Sequence, residues 1–342
     1  MTAVWHRFFW TAVAAAAIWG LWLLVDGTRP FFHAPQPVLL DIERGAGTRE
    51  IASRLQATGV IRSEITFLAL HYLRPGNTLK AGEYSFDGPA SPLDVLAKLI
   101  TGAVSFEVLV IPEGHNLLEI AGAVEEQGFS TRAEFLWAAD EVSLVADLDP
   151  LAKNLEGYLF PDTYHFPRHA RPAQIVQAMV ARFRELYAEL NPAESGRTTH
   201  DIVTMASLVE KETSLDSERP VVSAVFYNRL GREIPLQCDP TVIYALMLEN
   251  QYDGRIRLSQ LEHPSPYNTY LHRGLPPGPI ANPGRASLAA ALRPAESDYL
   301  YFVANAEGGH TFSRTLAEHN SAVSLYRQNL RQQAASADAT AQ

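Results

Sequence analysis

Phe8 to Val25 is an unbroken run without a charged residue, and it restricts the architecture more than any other stretch of the chain. As a helix rising 1.5 Å per residue it is about 27 Å long, close to the hydrocarbon core of a bilayer. Trp5, Trp10, Trp19 and Trp22 are the aromatics that settle near membrane interfaces. His6 and Arg7 precede the run and Asp26 follows it, a small bias that places residues 1–7 in the cytoplasm and the bulk outside. A cleaved signal peptide is the rival reading, but the small residues Ala14 to Ala17 lie mid-run and no A-x-A pattern follows the apolar stretch. The expectation is an uncleaved transmembrane helix over 8–25. In a bacterium this means a single-pass inner-membrane protein with its bulk in the periplasm. Residues 26–37, with Pro30, Pro35 and Pro37, read as a short stiff linker.

The remaining chain is long enough for two cores. Its 47% hydrophobic and 19% charged content is that of an ordinary globular protein. A formal net charge of −10 offers no electrostatic footprint for nucleic acid. Cys238 is the single cysteine, which excludes an intrachain disulfide and a cysteine-based metal cluster.

Residues 38–104 read as a small βααβ unit. Val38 to Glu43 is a strand, Thr48 caps a helix carrying Ile51, Ala52 and Leu55, and Ser63 caps a second whose apolar side is Phe67, Leu68, Leu70 and Tyr72. Leu79 to Phe86 alternates as a strand, and Ser91-Pro92 starts a third helix that stops at Gly102. This order resembles the LysM-like module, a small glycan-binding fold. The alternative is a spacer that positions its neighbour.

Residues 105–331 form the larger unit. Phe106 to Pro112 reads as a buried strand and Pro172 to Leu190 as a long amphipathic helix. Between them, Asn154-Leu-Glu-Gly-Tyr-Leu-Phe-Pro-Asp-Thr-Tyr164 is a loop-and-strand segment, suited either to sugar rings or to a plain aromatic core. The run Asp201-Ile-Val-Thr-Met-Ala-Ser-Leu-Val-Glu-Lys-Glu-Thr213 forms a helix at 100° per residue, with Ile202, Val203, Met205, Ala206, Leu208 and Val209 on one broad side. Thr204, Ser207 and Lys211 fall opposite, and Glu210 and Glu212 sit on the two borders. A carboxylate at such a border is half desolvated, which raises its pKa toward the range a general acid needs. The wheel does not say which Glu that is, and both fit as ordinary border residues. Further on, Ser217 and Pro220 start a helix ended by Gly231, Asp239-Pro240-Thr241 turns into another, and Gly/Pro/Asn-rich loops with interleaved Tyr read as groove walls. After Arg331 the Gln/Ala/Ser/Asp-rich composition of 332–342 reads as a disordered tail.

Leu155-Glu-Gly-Tyr-Leu-Phe-Pro-Asp-Thr-Tyr164, Ala206-Ser-Leu-Val-Glu-Lys-Glu-Thr213, Phe226-Tyr-Asn-Arg-Leu230, Leu236-Gln-Cys-Asp-Pro-Thr-Val-Ile-Tyr244, Tyr267-Asn-Thr-Tyr270, Gly274-Leu-Pro-Pro-Gly-Pro-Ile280 and His310-Thr-Phe312 resemble, in order, the endolytic murein transglycosylase family (MltG-like, also called YceG-like). The resemblance runs from about Val38 to Tyr326 and implies an α+β protein with a transmembrane helix, a LysM-like module and a catalytic domain with a glycan groove. It implies a lytic transglycosylase without a cofactor, cleaving peptidoglycan at the MurNAc–GlcNAc bond within strands and working beside cell-wall synthases such as penicillin-binding proteins. The family's catalytic acid is the second Glu of its Glu-Lys-Glu-Thr motif, Glu212 here. Asn228, Gln237, Asp239, Thr241, Tyr244, Tyr267, Asn268 and Tyr270 are expected along the groove. Cys238 stands where the family usually has a small hydroxyl residue.

The rival readings are a water-using hydrolase with Asp239 or Glu218 as second carboxylate, and a non-catalytic scaffold that binds glycan and synthases. The spacing of His263, His272, His310 and His319 gives no argument for a metal site.

Overall fold

The structure is a computed structural model and describes residues 2–32, 36–103 and 106–340. The chain divides into two compact units, one reaching to Val108 and including His165–His169, the other comprising Leu109–Tyr164 and Ala170 onward.

The first unit begins with the apolar helix α1 (Thr2–Thr28). Its segment Trp5–Thr28 is long and apolar enough to cross a membrane. The expected linker starts later than its prolines suggest. Helix continues through Asp26 because that buried carboxylate accepts a hydrogen bond from the Thr66 hydroxyl. Pro30 then bars further helix, and Phe31 bridges to Ala90 with an N–H···O distance of 3.0 Å. The rest of the expected linker includes 33–35, which lie outside the described residues.

Next come β1 (Val38–Ile42), α2 (Thr48–Ala57), α3 (Glu64–Tyr72), β2 (Gly82–Phe86) and α4 (Pro92–Thr101). The strands pair antiparallel from Val38↔Phe86 to Ile42↔Gly82. Period-2 alternation turns Leu40, Ile42, Tyr84 and Phe86 onto one core with Ile51, Leu55, Phe67, Val95, Leu96 and Leu99. Ser63 caps α3 by accepting from the Thr66 N–H, and Ser91 with Asp94 forms a capping box on α4. Gly102 closes α4 at φ 74°, a left-handed stop. On α2 the cap position is Gly47, not Thr48, and no side chain caps it.

The division between the units falls at the ribbon of β3 (Glu107–Val110) and β4 (Thr163–Phe166). The second unit holds α5 (Leu117–Glu126), α6 (Arg132–Ala139), α7 (Pro172–Glu189), α8 (Thr199–Glu212), α9 (Arg219–Gly231), α10 (Asp239–Leu248) and α11 (Arg285–Leu292). A hairpin of β5 (Tyr301–Ala304) and β6 (His310–Ser313) and the helix α12 (Leu316–Thr340) complete it. The expected tail departs from this, because α12 runs on past Gln332 to Thr340. Low hydrophobicity argued for disorder there, yet Ala and Gln are good helix formers and extend a helix already begun; residues 341 and 342 lie outside the described part.

α8 is the axis of the second unit, packed by α9, α10 and α11. Every residue from Ile202 to Val209 is buried, so the helix has no polar side there and Thr204 and Ser207 are not solvent-facing as the wheel suggests. The Ser207 hydroxyl escapes the cost of burial by donating to the Thr204 carbonyl at 2.7 Å and accepting from the Ile280 N–H at 3.1 Å.

The aromatic segment Asn154–Tyr164 is core. Its Glu156 carboxylate is buried at the start of α5, where it accepts from the Leu117 N–H (2.9 Å), the Asn282 amide (2.9 Å) and the Tyr244 hydroxyl (3.0 Å). Burial outweighs these bonds and pushes its pKa up to about 8. Gly157 beside it has φ +88°, and a Cβ there would lie 2.6 Å from Pro279 and 2.7 Å from Val203.

Two outcomes are expected. Gly157→Ala combines a left-handed backbone with an unavoidable overlap and should destabilise the protein by about 2–4 kcal/mol, whereas Gly128→Ala, at φ +77° in open space, should cost only about 1 kcal/mol in denaturant titrations. Between pH 4.5 and 8 the folded state holds the Glu156 proton while the unfolded state releases it. Stability therefore falls as pH rises through this window, by up to about 1.4 kcal/mol per unit. In melts run against pH, Glu156→Gln should flatten that slope relative to the parent; an equal slope in both proteins would contradict it.

Candidate active site

α8 ends at Glu212 because Thr213 swings to extended backbone at φ −145°. The side chain thus leaves the enclosed helix at its carbonyl end, where the helix dipole disfavours negative charge. It enters a cavity of about 330 Å³ walled by Phe226 and Arg229 of α9, the turn Leu236–Gln237, Asp239, Tyr270, Phe302 and His319. The buried Cys238 thiol donates to Glu212 Oε1 at 2.9 Å.

The electrostatics of this carboxyl are a contest. Burial raises its pKa and is the largest influence, and the nearby Asp239 adds to it. The Cys238 hydrogen bond, His310 and Arg229 pull the other way without cancelling the rise. The Cys238 thiol is itself pushed far up by burial and by the Glu212 charge, so it remains a protonated donor.

The backbone around the site is held by buried hydrogen bonds. The Arg229 guanidinium donates to the carbonyls of Leu300 (2.6 Å), Leu236 (2.9 Å) and Pro235 (3.1 Å) and lies over the Tyr301 ring at 5.0 Å. Burial lowers its pKa from a very high starting value, so it stays a cation. Gln237 adopts φ 53°, a left-handed conformation that a non-glycine residue holds only under constraint. The constraint is Thr269: its carbonyl accepts from the Gln237 N–H at 3.1 Å and its hydroxyl from the Cys238 N–H at 3.0 Å.

Of the groove residues expected from the sequence, Gln237, Asp239 and Tyr270 line the cavity with Glu212. The Tyr270 hydroxyl donates to Asp239 Oδ1. The others have different engagements. Asn228 donates its amide to the carbonyls of Ser297 (2.8 Å) and Tyr299 (3.0 Å). Thr241 is fully buried and donates to the Cys238 carbonyl at 2.7 Å. Asn268, also fully buried, donates to the carbonyls of Leu261 (2.9 Å) and His263 (2.8 Å). Tyr244 is taken up by Glu156, and its ring meets Tyr267 edge-on with centroids 5.0 Å apart.

Phe226, Arg229, Leu236, Phe302 and His319 are the lining residues that sequence reasoning missed. For two of them the signal was present: Phe226 and Arg229 are three apart on one helix and so share a face, and Asn228 does not belong to it.

The remaining acids are committed elsewhere. Glu210 accepts from the Arg219 guanidinium (2.8 Å) and the Gly284 N–H (2.9 Å), nearly out of solvent. Glu218 precedes α9 and faces β6. Partial burial opposes its charge, but bonds from the His310 ring (2.7 Å), the His310 N–H (2.7 Å) and the Thr213 hydroxyl outweigh that, leaving its pKa below the ordinary carboxylate value.

Comparison with known proteins places this geometry in a family. A crystal structure of a putative yceG-like protein from Listeria monocytogenes superposes with a TM-score of 0.58 at 34% identity, covering 84% of this chain and 99% of that one. The endolytic murein transglycosylase of Bacillus subtilis (strain 168) is 35% identical over 308 residues, 84% of each chain. That of Streptococcus pneumoniae serotype 2 (strain D39) is 28% identical over 356 residues, covering 91% of this chain but 64% of the longer relative. The family model described as YceG-like matches residues 40–325, most of the chain, and the chain belongs to the YceG-like family.

Proposed function

We propose that this chain is an endolytic peptidoglycan transglycosylase that cuts the MurNAc–GlcNAc bond inside glycan strands with Glu212 as its single acid–base group. The observation that carries the reading is a carboxyl with a raised pKa, held by a thiol donor on the wall of an open cavity. The names of the B. subtilis and S. pneumoniae relatives support the substrate class.

Protonated Glu212 donates to the glycosidic oxygen as the anomeric carbon gains oxocarbenium character. The resulting carboxylate takes the proton from the muramyl C6 hydroxyl, whose oxygen closes on the anomeric carbon to leave a 1,6-anhydro end. The attack is intramolecular, so no activated water and no second carboxylate nucleophile are needed. The Cys238 thiol steadies the carboxylate between the two half-steps, and Asp239, braced by Tyr270, offers negative charge on the same wall. In this reading Gln237 and Tyr270 contact sugar, while Asn228, Thr241, Tyr244, Tyr267 and Asn268 shape the walls. α1 anchors the enzyme in the inner membrane with the catalytic unit in the periplasm, where it cuts within nascent strands made by penicillin-binding synthases and so ends their elongation. The βααβ unit serves as a LysM-type glycan-binding module.

On isolated peptidoglycan strands, Glu212→Gln should fold normally and cut at least about 100-fold more slowly, because one group serves both half-steps. A folded variant with full activity would overturn the assignment. The raised pKa of Glu212 gives kcat/KM an alkaline limb, since the acid must be protonated at the start. Cys238 stabilises the charged form, so Cys238→Ala should move that limb to higher pH. Cys238→Ser, which keeps a donor, should move it less.

A further inference from the structure

The first unit carries an apolar surface that the proposed chemistry does not use. α3 contributes Phe67 and Thr66 to the interior, but a second stripe along it and its C-cap is also apolar: Ile65 is 59% exposed, Tyr72 70% and Leu73 70%. These positions are i, i+7 and i+8 and fall on one side of the helix. A contiguous apolar stripe left beside the packed side of a helix calls for something to cover it.

The neighbouring element says what that cover is. α3 packs against the end of α1, with Thr66 bonded to Asp26 and the side chain of Leu70 against Gly27. The apolar segment Trp5–Thr28 is about 36 Å long, more than the roughly 30 Å of a hydrocarbon core. Its charge-free run ends at Val25 and Asp26 follows, which suits the last turn to the headgroup level, and α3 is joined to that turn. Exposed arginines flank the two helices in the chain: Arg29 follows α1, Arg62 precedes α3 and Arg74 follows it. Arg62 also lies over the Phe31 ring at 5.0 Å and 4.0 Å from the Asp26 carboxylate. Long cationic side chains around an apolar stripe suit a helix lying in an anionic lipid interface.

We propose that α3 is a second membrane element, lying in the lipid interface beside α1 with Ile65, Tyr72 and Leu73 against the acyl boundary and Arg29, Arg62 and Arg74 among anionic headgroups. This rests on the reading of α1 as a membrane anchor, and it makes the first unit a foot fixed on the bilayer surface.

The test is depth measurement on the full chain in vesicles of phosphatidylglycerol and phosphatidylethanolamine. Spin labels are placed by Ile65→Cys, Tyr72→Cys and Leu73→Cys, with Glu50→Cys as an exposed polar reference and Trp19→Cys inside α1. The unsubstituted chain, whose one thiol is buried, is the labelling blank. Collisions with a water-soluble nickel chelate should be suppressed several-fold at 65, 72 and 73 relative to 50, and collisions with oxygen enhanced. Chelate access at all three equal to that at 50, with Trp19→Cys protected, would overturn the proposal and leave the anchor standing. Access at Trp19→Cys as well would remove the anchor reading and this proposal together. Protection at 72 and 73 accompanied by spin–spin broadening would assign the stripe to a second copy of the chain and overturn the lipid assignment.

Discussion

The enclosure of α8 is the constraint on which the second unit depends. A helix buried without a gap from Ile202 to Val209 cannot rotate or slide without exposing apolar surface, so its end is fixed in space. Glu212 lies just past that enclosure, where it lines the cavity, and Thr213 ends the helix there. Its polar contact in the cavity is a thiol, a weak donor that holds the carboxyl without neutralising the cost of burying its charge. A guanidinium in that place would favour the carboxylate and lower its pKa. The nearest one, Arg229, is instead tied to three backbone carbonyls.

The same logic separates the acids of the site. Glu210 and Glu218 lie close to Glu212 in sequence, yet Glu210 is bound by the Arg219 guanidinium and Glu218 by the His310 ring, away from the cavity. Asp239 is exposed on the cavity wall and is the one other carboxylate there among the described residues. A water-using hydrolase would have to recruit it as the second carboxylate. Its bond from the Tyr270 hydroxyl suits it to the proposed role of a fixed charge on the wall.

What could be read from the sequence followed from local physics. Ser63, Ser91 and Gly102 marked helix ends because caps are short-range devices, and the alternation in Leu39–Ile42 and Glu83–Phe86 set the β1–β2 pairing. Burial was less legible where it depends on distant packing. Thr204 and Ser207 looked like a polar face, and only the Ile280 N–H and a carbonyl on their own helix explain why Ser207 can be enclosed. Phe106–Pro112 looked like a buried strand, but in a two-stranded ribbon one face stays open, so Leu109 is buried while Val108 and Val110 are exposed. In the site, Glu212 came from its motif, and Gln237, Asp239 and Tyr270 line the cavity beside it. Helix phase turns Asn228 toward Ser297 and Tyr299 and brings Arg229 to the cavity. The pairing of Cys238 with Glu212 joins residues far apart in sequence and has no local signature.

In the proposed mechanism the attacking oxygen belongs to the substrate. Digesting intact peptidoglycan strands in heavy-oxygen water and weighing the new ends by mass spectrometry tests it most directly. Intramolecular attack by the C6 hydroxyl should yield 1,6-anhydro ends free of the label, cut from within the strand. One heavy oxygen at each new reducing end would contradict the account and make Asp239 the second carboxylate of a hydrolase.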